Sequence, residues 1–188
     1  MKNEEKILAE QAVSGNVDAF VELMEKYTES MYRVARGFLR EDEDVADAIQ
    51  ETILNCLEHS RELRKPEYYK TWMIRILINN CKDILKEKCQ VYAEEELENR
   101  ISDSHLKLRE VELKDTLERL DEKYRAVIIL YYLEGFKVKE IGEILSMNVA
   151  TVKTRLSRGR KELQKIYGVE KGEREHPFFM KEVTHYAR

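Results

Sequence analysis

The chain has 188 residues, 37% of them charged, with seven Gly, two Pro (Pro66 and Pro177) and a formal net charge of −4. So few chain breakers among so much Glu, Lys, Leu and Ile exclude a protein of strands and hairpins and point to helices. The negative total excludes a uniformly basic nucleic-acid binder, yet it hides a segregation: 41–60 holds seven acids and no Lys or Arg, 61–88 eight bases to four acids, 91–122 five bases to eleven acids, and 137–165 eight bases to three acids. Two basic zones set apart by acidic ones fit two separate nucleic-acid contacts.

The opening MKNEEKILAEQ is too charged for a signal peptide and no apolar run approaches a membrane span, so a cytoplasmic protein with reduced thiols is expected. A short helix over about 4–13 ends at Ser14-Gly15-Asn16, where Gly15 suits a left-handed stop and Asn16 an N-cap. The next helix, to about residue 39, carries Phe20, Met24, Tyr27, Met31, Val34 and Phe38 on one stripe. A third, about 44–60, has Val45, Ala48, Ile49, Thr52 and Cys56 inward. Opposite them Asp44, Asp47, Glu51, Leu54 and Glu58 form an acidic stripe, which is either a solvated face or a dock for a basic partner. After a loop with Arg64, Lys65 and Pro66, a fourth helix over about 68–88 is expected to turn Trp72, Ile76 and Ile84 to the core.

These elements make a first domain, 1–88, followed by a polar, acidic linker at 89–112. A second domain spans 113–167: Leu113, Leu117 and Leu120 open it, 126–133 is a dense apolar helix, and Gly135 stops it. The tail, 168–188, is expected to be mobile. The fold class is therefore all-α, with two small helical domains on a flexible linker.

Residues 137–160 predict two short helices about a tight turn, with Val138, Ile141 and Leu145 burying the first against Val152 and Leu156 of the second. Gly142 is expected where the helices cross, and Asn148 as an N-cap. Lys153, Thr154, Arg155, Ser157, Arg158, Arg160 and Lys161 stay outside, the side-chain set a major-groove helix needs for phosphates and base edges. Tyr68, Tyr69 and Trp72 lie among Arg64, Lys65, Lys70 and Arg75; such interleaving can stack unpaired bases, although Trp72 is expected to be largely core. Cys56, Cys81 and Cys89 have no C-x-x-C spacing, and His59, His105, His176 and His185 no metal-ligand spacing. No nucleophile elbow, phosphate loop or catalytic carboxylate pair is present, so neither an enzyme nor a cofactor, metal or small-molecule substrate is expected.

The stretch Lys139-Glu140-Ile141-Gly142-Glu143-Ile144-Leu145, followed by Ala150-Thr151-Val152-Lys153-Thr154-Arg155-Leu156-Ser157-Arg158-Gly159-Arg160, is similar to region four of bacterial extracytoplasmic-function sigma factors, group IV of the sigma-70 family. Gly142, Ala150 and Gly159 stand where Ala, Gly and Ala are usual there. Separately, Asp47-Ala48-Ile49-Gln50-Glu51-Thr52, and Lys70-Thr71-Trp72 with Arg75-Ile76 and 79–83, resemble the family's region two, except that Leu77-Ile78 replaces a common Ala-Arg. Arg64-Lys65-Pro66-Glu67-Tyr68 resembles the branch answering lysozyme or other envelope damage.

The resemblance implies that the first domain docks on the β′ clamp of core RNA polymerase, through Asp44, Asp47, Gln50, Glu51, Leu54 and Glu58, and captures melted promoter strand. For that capture it adds Asn79, Asn80 and Asp83 to the basic and aromatic residues of the loop and fourth helix. It implies that the second domain reads the upstream promoter element as duplex and touches the β flap, and that an anti-sigma factor, often membrane-anchored, holds the protein inactive. The alternative is a two-domain helix-turn-helix regulator acting on duplex DNA alone.

Overall fold

The computed structural model describes residues 3–94, 117 and 119–166, with side chains described over 4–88, 117 and 119–166. The structure is helical, with no strand among the described residues, and its contacts divide the chain into two units, 1–87 and 88–188. The expected linker beyond residue 94, Leu113 and the tail at 168–188 lie outside the described residues.

In the first unit α1 (Asn3–Val13) ends at Gly15, whose φ of +96° completes the left-handed stop. Asn16 then caps α2 (Val17–Arg36), its Oδ1 accepting the Ala19 N–H at 3.1 Å. All six predicted stripe residues of α2 and the turn after it, Phe20 to Phe38, are buried. The helix α3 (Asp42–His59) adds Val45, Ala48, Thr52 and Cys56 to the core. Two 3₁₀ turns, Ser60–Glu62 and Pro66–Tyr68, lead into α4 (Tyr69–Glu94).

The inward face of α4 differs from the sequence expectation. Tyr69, Met73, Ile74, Leu77, Ile78 and Cys81 are completely buried, while Trp72, Ile76 and Ile84 are only half-buried. The buried set repeats at three- and four-residue steps, an ordinary inward stripe. The largest side chain does not set the inward phase of α4, because Trp is often part-buried and seldom fully buried. An inter-helix hydrogen bond fixes α4 on α3: Asn80 Nδ2 donates to Thr52 Oγ1 at 3.0 Å, and that hydroxyl donates to the Ala48 carbonyl at 2.6 Å.

In the second unit Leu120 is buried and Asp121 caps α5 (Glu122–Ile128), accepting the Lys123 N–H at 3.1 Å. The helix continues as one π turn, Ile129–Leu133, where Glu134 N–H reaches the Ile129 carbonyl five residues back at 3.0 Å. Gly135, at φ +72°, ends it. Then come α6 (Val138–Leu145) and α7 (Val149–Ile166), the latter 18 residues long rather than short. Ser146 turns left-handed between them at φ 54°, and Asn148 Oδ1 accepts the Thr151 N–H at 2.7 Å, as its position predicts. Ile141, Ile144 and Leu145 of α6 and Val152, Leu156 and Leu163 of α7 are buried.

Gly142 does not mark a helix crossing. A Cβ there would lie 2.8 Å from the Met147 carbonyl oxygen, so the close approach is to the turn itself. The crossing is at Gly159, where a Cβ would meet Tyr124 Cβ at 3.2 Å and Ile128 Cγ1 at 3.1 Å.

Candidate nucleic-acid interface

On α7 the buried ridge 152, 156, 159, 163 leaves Lys153, Thr154, Ser157, Arg158, Arg160 and Lys161 exposed. No carboxylate occurs from 144 to 161, so this side presents only positive charge and neutral donors over that length, with half-buried Glu162 following it. Two of the predicted side chains are partly engaged. The Thr154 hydroxyl donates to the Ala150 carbonyl at 2.9 Å. Arg155 is half-buried and lies within electrostatic reach of Asp121 at the head of α5. Hydrogen bonds from Lys123, and further out Arg155, hold the Asp121 carboxyl below its usual range. Lys123 Nζ contacts Asp121 at 2.5 Å and sits 4.9 Å from the Tyr124 ring centre.

On the first unit, Arg64 and Lys65 are exposed in the turn before α4, and Lys65 Nζ lies 5.9 Å from the centre of the Tyr68 ring, which is 44% exposed. Trp72 meets Tyr69 edge-to-face at 5.4 Å, leaving part of the indole outside, and Arg75 and Asn79 are exposed one and two turns on. Tyr69 is a correction to the sequence expectation. It is 0% exposed and packed inward with Cys56 and Tyr27 nearby, so it offers no face to a base. Burial raises its phenol, and that of Tyr27, well above the usual tyrosine range; both hydroxyls are buried without a hydrogen-bond partner. The same interior pushes the Cys56 and Cys81 thiols up to about 12, which keeps them protonated.

Asn80 and Asp83 are also placed apart from the basic loop. Asn80 is half-buried and bonded to Thr52, and Asp83 pairs with Lys86 at 2.7 Å. Both line a groove of about 530 Å³ between α3 and α4, together with Asp47, Gln50, Glu51 and Leu54. Ile84 and Glu87 complete it; sequence reasoning put Ile84 in the core and gave Glu87 no role. Leu54, 54% exposed, is the apolar centre of this acidic surface. Asp44 is half-buried and Glu58 exposed, and neither lines the groove. Leu57, exposed on α3, was missed because it falls on neither predicted stripe.

Among the described residues, no cluster of His, Cys, Asp and Glu could hold a metal ion, and no helix is long and apolar enough to cross a membrane.

The family described as Sigma-70 region 2 matches residues 23–88, and that described as Sigma-70, region 4 matches 110–163. The chain is 32% identical over 137 residues to the RNA polymerase sigma factor SigV of Bacillus subtilis, covering 72% of this chain and 82% of that one. It is 30% identical over 172 residues to the ECF RNA polymerase sigma factor SigW of the same organism, covering 82% and 92%. Among solved structures it resembles CnrH in complex with the cytosolic domain of CnrY, with a TM-score of 0.67, 26% identity and coverage of 89% of this chain and 99% of that one.

Proposed function

The chain belongs to the extracytoplasmic-function sigma factors of the sigma-70 family and is an RNA polymerase sigma factor, and from that premise we propose how its surfaces divide the work. The α3–α4 groove, with Asp47, Gln50, Glu51 and Leu54 joined by Asn80 and Asp83, docks on the clamp of core polymerase. Its acidic rim and single exposed Leu suit a basic helical partner. Arg64, Lys65 and Tyr68, with the outer edge of Trp72 and with Arg75 and Asn79, take the melted strand: the rings stack bases and the cations offset the phosphates. The exposed side of α7 lies in the major groove of the upstream element, while the second unit also touches the polymerase flap.

The observation that carries this division is the opposite charge of the two surfaces, an acid-lined groove on α3–α4 and an α7 face without a carboxylate from 149 to 161. The first suits a protein partner and the second DNA phosphates. The protein acts in the cytoplasm by binding rather than by catalysis, directs polymerase to stress promoters, and is restrained by an anti-sigma factor; the similar CnrH is itself found in complex with another protein, the cytosolic domain of CnrY. The duplex-only regulator is not favoured. In vitro transcription from genomic DNA with core polymerase, with and without the protein, tests the proposal. Discrete new start sites are expected only when the protein is present, and their absence overturns the assignment.

A further inference from the structure

We infer that Arg61 is a further phosphate contact of the melted promoter strand, preset by the glycine turn between α1 and α2. The inference rests on the turn before α4 being the strand-capture site. Arg61 is exposed in the first 3₁₀ turn, and its guanidinium lies against Gly15: a Cβ at that glycine would meet Nη2 at 2.9 Å, Nε at 3.2 Å and Cζ at 3.3 Å. Glycine is thus required at 15 twice, for its φ of +96° and for the space the guanidinium fills. Among the described residues Arg61 makes no hydrogen bond and no ion pair. The adjacent Glu62 lies against His59 instead, at 3.2 Å.

Ion pairing sets this cation apart. In the first unit Lys6, Lys26, Arg33, Arg36 and Lys86 each reach a carboxylate. Arg61 and Arg64 reach none among the described residues, and Lys65 lies over the Tyr68 ring. Both 3₁₀ turns pack on α1, so these cations and the ring are held along one stretch of surface. A strand with a base stacked on Tyr68 carries a phosphate on either side of it, and an unpaired guanidinium meets a phosphate through two parallel N–H donors. A freely moving surface arginine would bring the same charge with more rotamer freedom to lose, and the contact with Gly15 reduces that loss. The melted strand therefore runs from Tyr68 past Arg64 toward the α1–α2 turn.

The test uses the full chain bound to core polymerase and a promoter from the transcription assay, held open by mismatches across the melted segment. Each phosphate of the captured strand is replaced in turn by a neutral methylphosphonate. Wild type should lose affinity at several positions. Arg61→Ala should bind the open probe about fivefold to tenfold more weakly, with its salt slope lower by about 0.7, and should show no further loss at one of those positions. Its affinity for the upstream element as closed duplex and its melting curve should not change, because Arg61 is exposed and has no polar partner among the described residues. Arg61→Lys, which keeps the charge but not the paired donors, should restore the slope and only part of the affinity. The inference is overturned if Arg61→Ala keeps the wild-type sensitivity at every phosphate while Arg64→Ala loses one. If neither variant changes the profile, the turn does not hold the strand, and the strand assignment falls together with the inference.

Discussion

Replacing Tyr69 by Phe tests the placement of α4 more sharply than any truncation. The ring is completely buried, in T-shaped contact with Trp72, and its hydroxyl has no hydrogen-bond partner, as is also true of Tyr27 nearby. Leaving a buried hydroxyl unpaired costs about 1–3 kcal/mol relative to water. Phe keeps the ring and removes that cost, at the expense of a gap the size of one oxygen atom. Tyr69→Phe should therefore raise the unfolding free energy of the full chain by about 1 kcal/mol, with promoter opening unchanged because the residue touches no DNA. Tyr69→Ala should cost about 3–5 kcal/mol, as for a fully buried aromatic side chain. Urea titrations followed by circular dichroism give both numbers. A Tyr69→Phe protein less stable than wild type by 1 kcal/mol, or one that folds normally and fails to open promoters, would refute the reasoning.

The neighbouring Tyr68→Ala should leave the melting curve unchanged while lowering open-complex formation about tenfold or more, read by permanganate footprinting, because stacking on an exposed ring contributes about 1–3 kcal/mol. Arg158→Ala should weaken upstream-element binding by about 1–3 kcal/mol and relax preference at one position; Lys161→Ala should weaken all duplexes alike and lower the salt slope by about 0.9, and identical behaviour of the two would contradict the assignment. Reversing Asp47 and Glu51 together to Lys should abolish recovery of core polymerase in a pull-down, with normal recovery excluding the groove as the dock. Gly142→Ala should be destabilising despite a gain of about 1 kcal/mol in helix propensity, because its Cβ meets a backbone carbonyl at 2.8 Å. Gly159→Ala brings a Cβ within 3.1–3.3 Å of Ile128 and of the backbone-fixed Tyr124 Cβ, so the crossing must open by a few tenths of an ångström and the same thermal melts should show a loss of stability, smaller than for Gly142→Ala.

The features legible in the sequence are those that repeat or that act locally. The α2 stripe runs unbroken from Phe20 to Val34, with Phe38 just beyond, and is all buried, and Gly15, Asn16, Gly135 and Asn148 each do what their residue type predicts. The α7 face was legible because its charge is segregated within nine residues. What was not legible depends on partners distant along the chain. Asn80 reads as a candidate strand contact until Thr52, 28 residues earlier, is seen to take its amide. Arg155 reads as exposed until α7 crosses α5 at Gly159, which leaves it half-buried with Asp121 in reach. Tyr68 and Tyr69 are identical in composition and opposite in fate, since adjacent residues on a helix face about 100° apart.

The π turn at Ile129–Leu133 makes the length of the chain at this point unusually forgiving. A π turn holds one residue more than α pitch requires. Losing one residue inside it would close the turn to ordinary α geometry and leave the segments on both sides in register. The same loss a turn earlier, among Tyr124 to Ile128, would swing the side chains that receive Gly159 by about 100° and pull the reading helix off its support. Single-residue deletions drifting through this lineage are thus expected to survive within 129–133 and to be purged from 124–128.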